Sequence, residues 1–167
     1  MLKNGDLSLR KINLEDTDLI LRWRNRDSVR RWFINQDELT EKEHSNWMKN
    51  NVFTGKVIQY IIEINDIPIG SVYFQHIDDK NKSAEFGIFI GEEGYYGMGY
   101  GSMATQLFLD YGFTEKGFHR IYLRVLANNE RAINSYKKSG FIVEGTARDM
   151  EVINNEYVDI TFMSIIR

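Results

Sequence analysis

The 167-residue chain has no cysteine, a single proline and three histidines. Without cysteine there is no disulfide scaffold, no thiolate metal site and no thiol nucleophile. His44, His76 and His119 stand far apart in none of the spacings that hold a metal, so no metal is expected. There is no long apolar run and no apolar leader at the N-terminus, and the chain reads as soluble and cytoplasmic, with no membrane partner. A formal net charge of −3 speaks against general nucleic-acid binding, though not against a local basic patch. Hydrophobic residues at 43% and charged residues at 27% are ordinary globular values. This length suits one domain, 1–167, with a substantial core, and neither repeat nor linker divides it.

What is present alternates between the two secondary-structure periods. Leu7 to Ile12 reads as a first strand. Asn13 with Asp16 forms a capping-box pattern opening a helix to about Asn25; Val29 to Phe33 suggests a short second helix, and Thr40 with Glu43 a further capped one. Val57–Ile64 and Ile67–Gln75 are strand-like runs joined at Asn65-Asp66, a hairpin turn, with Pro68 near the start of the second run. Ala84–Ile90 and His119–Leu126 read as strands flanking an apolar helix, Met103 to Phe113; placing them side by side in parallel requires that helix as a crossover. Phe141–Glu144 and Tyr157–Ile165 close the sheet, with a turn at Asn154-Asn155. The expected fold is mixed α/β, with helices on both faces of one sheet.

Between the strand Ala84–Ile90 and the apolar helix lies the glycine cluster GYYGMGYGS, Gly94 to Ser102. Its backbone can bend tightly, and the helix start offers unpaired N–H groups and a positive dipole end to a phosphate or pyrophosphate. It is not a P-loop, because no lysine precedes Ser102. Nor is it a Rossmann turn: the third glycine is missing, and the next strand ends in Leu126-Ala127 instead of an acid. Taken alone it could be a surface turn. Downstream, NERAINSYKKSGF from Asn129 to Phe141 has helical spacing, with Ala132, Ile133 and Tyr136 on one face and Gly140 at its end.

These two motifs together resemble the GNAT superfamily of acetyl-CoA-dependent N-acetyltransferases. Tyr96 to Gly101, YGMGYG, is similar to that family's Arg/Gln-x-x-Gly-x-Gly/Ala pyrophosphate loop, and Asn129, Ala132, Tyr136 and Gly140-Phe141 resemble its second signature. The resemblance implies a mostly antiparallel mixed sheet in which one parallel strand pair splays apart. It also implies acetyl-CoA as cosubstrate, two short helices forming the acceptor wall, and backbone N–H donors around Ile88, Phe89 and Ile90 for the thioester carbonyl and pantetheine arm. Gly97, Met98, Gly99, Tyr100, Gly101 and Ser102 would carry the pyrophosphate through their main chain. Tyr96 departs from the usual Arg or Gln, which removes a side-chain contact but leaves the backbone cradle. Asn129 would reach the pantetheine; helix capping is the equal alternative.

Acetyl transfer to an amine needs a base, a polarised carbonyl and a hydrogen bond for the departing thiolate. Glu85, on the strand leading to the loop, is the candidate to take the ammonium proton, directly or through water; the bland alternative is a solvated carboxylate. Tyr136 is the candidate acid, a phenol protonated at neutral pH, with a core aromatic as its alternative.

For the acceptor, Arg22, Arg24, Arg26, Arg30 and Arg31 crowd around Trp23, Trp32 and Phe33, a surface that could stack a base and pair a phosphate. LRWRN, VRRWF and EHSNW resemble the subgroup acetylating nucleotide-linked amino sugars, which puts Arg24, Asn25, Arg30, Phe33 and His44 at the acceptor. A solvated face with Asp18 paired to Arg22 is the alternative. Across Ala84 to Gly145 the chain also resembles spermidine and ribosomal-protein acetyltransferases, and Asp37, Glu38, Glu41 and Glu43 could face a polyamine. A non-catalytic acyl-CoA-binding module is the reading from another class. Exposed aromatics such as Trp32 make a homodimer plausible.

Overall fold

Where two strands meet at a tight hairpin, the linking residues must adopt left-handed backbone. Asn65 and Asp66 do so, at φ 49° and 63°, between β3 (Ile58–Ile64) and β4 (Ile67–Asp78) in this computed structural model, which describes residues 1–167. Asn154 and Asn155, at φ 53° and 64°, repeat the device between β7 (Ile142–Ile153) and β8 (Glu156–Ile166). Both turns lie where the sequence puts them.

Ahead of them, β1 (Leu2–Asn4) pairs with β2 (Leu7–Lys11). Asn13 and Asp16 close their capping box on a 3₁₀ turn, Leu14–Asp16, that runs into α1 (Thr17–Arg24). The second helix is displaced from the Val29–Phe33 expectation. α2 spans Asp27–Arg30, since Arg26 is still extended and the acidic Asp27 suits a helix start. α3 (Glu41–Trp47) opens on the Thr40–Glu43 box and continues into a π-type turn, Met48–Val52.

β5 (Ser83–Ile90) leads through the glycine loop to α4 (Tyr100–Thr114), then β6 (Arg120–Leu126) and α5 (Glu130–Lys138). α4 starts three residues before the expected Met103, because Gly99 at φ 86° caps it and the helix follows the loop at once. β7 runs far past Glu144; irregularities at Val143/Gly145 and Ala147/Glu151 let its polar stretch keep pairing with β8.

The eight strands form one sheet in the order β1-β2-β3-β4-β5-β6-β8-β7, with β5 and β6 the parallel pair. β3 is buried from Gln59 to Ile64 because both faces are covered. Tyr60, Ile62 and Ile64 join the core with Ala104, Phe108 and Leu109 of α4, while Ile61 packs with Ile20, Trp23 and Met48 beneath α1 and α3. No helix is long and apolar enough to cross a membrane.

Candidate active site

β5 pairs with β6 only at Ser83↔Arg120, Ala84↔Ile121 and Glu85↔Tyr122, and from Phe86 onward the two strands part. α5 follows β6 and lies over the gap, with Tyr136 packed against Phe86 and Phe141 at centroid distances of 6.2 and 5.7 Å. The result is a cavity of about 970 Å³. One wall is the open edge of β5, from Glu85 to Ile90; others come from α5, from Tyr96 and Gly101 of the glycine loop, and from the α1–α3 segment.

At the loop the backbone is arranged for an anion. None of the six consecutive amides from Gly97 to Ser102 donates to any other part of the chain, and Met103 N–H is the first to bond back, to Gly99 at 3.0 Å. Gly97 and Gly99 have φ of 76° and 86°, a conformation costly for any side chain. The helix dipole of α4 adds partial positive charge at the same place. Arg131 of α5 holds its guanidinium 5.4 Å from the Tyr96 ring centre, so a cation reaches the loop from the neighbouring helix where the loop itself has none. Ser102 and Ser135 hydroxyls, 3.4 Å apart, bring α4 and α5 together.

Glu85 is not a solvated strand carboxylate: it is 5% exposed and faces the cavity. Arg124 Nε donates to Oε1 at 3.0 Å, and His76 Nδ1 lies 2.5 Å from Oε2. Burial pushes the Tyr136 phenol above its ordinary value, with Tyr73 nearby adding to the effect. The hydroxyl therefore stays protonated as a donor. Tyr73, on β4, is raised in the same way by burial. Its ring occupies the space that Gly87 leaves open, since a Cβ there would sit 2.2 Å from the ring.

In the acceptor half, the Arg24 guanidinium lies 3.4 Å from the Phe33 ring centre, and its buried Nη1 has no partner. Burial depresses its ionisation. His44 is likewise buried; its Nδ1 meets Thr17 Oγ1 at 3.2 Å, and burial lowers its affinity for a proton. Asp37, Glu38 and Glu43 also line this half.

Of the residues singled out from sequence, the cavity brings together Glu85, Tyr136, Ile88, Phe89, Ile90, Tyr96, Gly101, Asn129, Arg24, Phe33 and His44. Gly97, Met98, Gly99, Tyr100 and Ser102 stand just outside its lining, in the loop with the free amides. Asn25 and Arg30 are not among the lining residues. The Asn25 amide clamps the backbone of Leu39 through two 2.8 Å bonds, and Arg30 pairs with Glu38 at 2.9 Å, so neither lines the cavity. Arg22 pairs with Glu92 instead of Asp18. Asn129 caps α5, accepting from Ala132 N–H at 3.2 Å, and lines the cavity as well. Tyr73, Gln75, Arg124 and Arg131 were missed. They come from β4, β6 and α5, and only the folded sheet gathers them. No cluster of His, Asp or Glu is placed to hold a metal ion.

Comparison with known proteins agrees with this geometry. The profile of the Acetyltransferase (GNAT) domain family matches residues 6–142. The spermidine N(1)-acetyltransferase of Escherichia coli (strain K12) is 31% identical over 95% of this chain and 85% of its own. The enzyme of the same name from Vibrio cholerae is 27% identical over 98% and 95%. A crystal structure of the Vibrio cholerae spermidine N-acetyltransferase in complex with CoA and spermine superposes with a TM-score of 0.91, at 27% identity over 98% of this chain and 96% of that one. A dodecameric structure of that protein superposes with a TM-score of 0.83, at 27% identity over 98% and 95%.

Proposed function

From the premise that this chain belongs to the GNAT acetyltransferase family and is an acetyl-CoA-dependent N-acetyltransferase, we propose that its acceptor is a polyamine, whose amine attacks the thioester directly in a ternary complex. The observation that carries the acceptor assignment is that three carboxylates, Asp37, Glu38 and Glu43, line the same cavity as Glu85 and Tyr136. They attract an extended polycation and leave its terminal amine free to advance to the thioester. The likeness to spermidine acetyltransferases over nearly the whole chain supports the same reading.

The residues fit acetyl-CoA. The free amides from Gly97 to Ser102 would hold the pyrophosphate, and the open edge of β5 from Phe86 to Ile90 would hold the pantetheine arm and the thioester carbonyl. Glu85, through a water or directly, takes the proton of the acceptor's ammonium and so frees the amine lone pair for attack. The Tyr136 hydroxyl donates a hydrogen bond to the sulfur as the C–S bond breaks. With its phenol raised by burial, it stabilises the thiolate more than it protonates it. The chain has no cysteine to form an acyl-enzyme, in keeping with direct attack.

A second reading, a nucleotide-linked amino sugar, is favoured by Arg24. A buried guanidinium with one nitrogen unpartnered, stacked on Phe33, suits an anionic or carbonyl-bearing acceptor better than a polycation. Thiol release from acetyl-CoA, measured with spermidine, spermine, an N-terminal peptide and a nucleotide-linked amino sugar, separates the two. The polyamines should show the highest kcat/KM. Preference for the nucleotide sugar, abolished by Arg24→Met, overturns the polyamine assignment. Binding of CoA without thiol release for any amine would instead favour the non-catalytic module. We place the whole chain, 1–167, in one catalytic domain acting in the cytoplasm as a homodimer. Exposed Ile142, Met150 and Val152 on the edge strand β7 support self-association, which sedimentation tests.

A further inference from the structure

Strand alternation should put His76 on the face opposite Gln75, and Gln75 is the residue paired with Glu85. It does not. The β4–β5 register shifts between Gln75 and Asp78, so three residues of β4 span what two span on β5, and His76 adopts φ 48°. This bulge with left-handed backbone cancels the alternation and swings the imidazole onto Glu85, its Nδ1 2.5 Å from Oε2. Such a conformation in a non-glycine residue costs on the order of 1–3 kcal/mol and persists where surrounding contacts hold it. The Glu85 side chain is 6% exposed and that of His76 61%, and His76 lies outside the cavity that Glu85 lines. The carboxylate is thus placed between the reacting amine on one side and an imidazole in contact with bulk water on the other.

We propose that His76 is a positioning residue for acetyl transfer: it fixes the orientation of Glu85, and its own ionisation governs how readily that carboxylate accepts the amine proton. This rests on Glu85 acting as the base. When His76 is an imidazolium, Glu85 lies between two cations, Arg124 and His76, and is a poor acceptor. Once His76 is neutral, only Arg124 opposes protonation. Turnover is therefore higher once the imidazole has lost its proton. The other groups facing the pair are Tyr122 on β6, Asp78 on β4, and Tyr73 with Arg24 across the cavity. Between about pH 6 and 8.5 arginines keep their charge and phenols their proton.

The test is the kcat–pH profile of the parent, His76→Gln and Glu85→Gln, at saturating acetyl-CoA with the best amine of the panel. Glutamine keeps a donor within reach but carries no charge at any pH. H76Q should hold kcat at pH 8.5 within about threefold of the parent and exceed the parent's relative activity at pH 6 by roughly fivefold, its acidic limb displaced downward, with KM for acetyl-CoA unchanged. His76→Ala, which removes the charge and also frees the carboxylate, should lower kcat about tenfold at pH 8.5. Superimposable normalised profiles for the parent and H76Q, alongside a large loss in E85Q, overturn this inference and leave the base assignment standing. Unchanged kcat in E85Q overturns both.

Discussion

Replacing Tyr136 with phenylalanine removes one oxygen and little else. The ring keeps its edge-to-face contacts with Phe86 and Phe141, and the hydroxyl makes no hydrogen bond within the chain, so no partner is orphaned. Stability should be nearly unaffected, with Tm moving by less than about 3 °C. The catalytic cost is another matter. A buried donor aimed at developing negative charge contributes about 3 to 4 kcal/mol to the transition state, which corresponds to a loss in kcat of roughly 150-fold to 1,000-fold. The affinity for CoA, set by amides elsewhere, should stay within about twofold, because the lost contact strengthens only as the C–S bond breaks. The assay is thiol release from acetyl-CoA with the preferred amine, paired with calorimetric titration of CoA and a thermal melt. The phenol's upward shift adds a second check: its deprotonation should produce no fall in kcat below about pH 10. If Y136F turns over within threefold of the parent and melts at the same temperature, the hydroxyl has no part in catalysis, and Tyr136 is a core aromatic that happens to face the cavity.

Two further outcomes test the loop and the sheet edge. A Cβ at Gly99 would meet nothing within 4 Å, so Gly99→Ala is opposed only by its φ of 86°, about 1–2 kcal/mol of backbone strain; relaxation of the loop should weaken CoA binding about tenfold by titration calorimetry, and unchanged affinity would remove the amide cradle from the account. Across β6, β8 and β7, Arg120 and Ser164 donate to Glu144 and hold its carboxyl down to about 2. A depressed carboxyl stabilises the fold above its unfolded value, near 4.3, and that contribution fades as pH falls from about 4 towards 2. Denaturant melts of Glu144→Gln should accordingly lose the part of the acid dependence confined to that window, and an identical decline in parent and variant would contradict the pairing.

How much of this was legible beforehand depends on how local the signal is. The Asn65-Asp66 and Asn154-Asn155 turns, the Asn13 and Thr40 caps, and the glycine loop ahead of α4 are all satisfied within a few residues, and each lies where the pattern puts it. β7 extends past the expected end at Glu144 through the polar stretch Arg148-Asp149-Met150-Glu151. Arg148, Asp149 and Met150 fall in the irregularity between Ala147 and Glu151, and the strand continues because pairing with β8 resumes at Glu151. Asn25 and Arg30 looked like acceptor ligands by their company in the arginine cluster, but a neighbouring backbone and Glu38 take them up.

Tyr136 and the loop amides could be named from the chain alone because two short motifs resemble the family's signatures, and Glu85 because it lies on the strand leading to the loop. The partners that give them their properties could not. Arg124, Tyr73 and His76 reach Glu85 and Tyr136 from other strands, through a parallel pair that separates after Glu85 and a single-residue bulge in β4. Motif spacing is a property of neighbours along the backbone, whereas burial, ion pairing and the direction a strand residue faces depend on which segments are laid side by side. That choice is made only when the sheet forms.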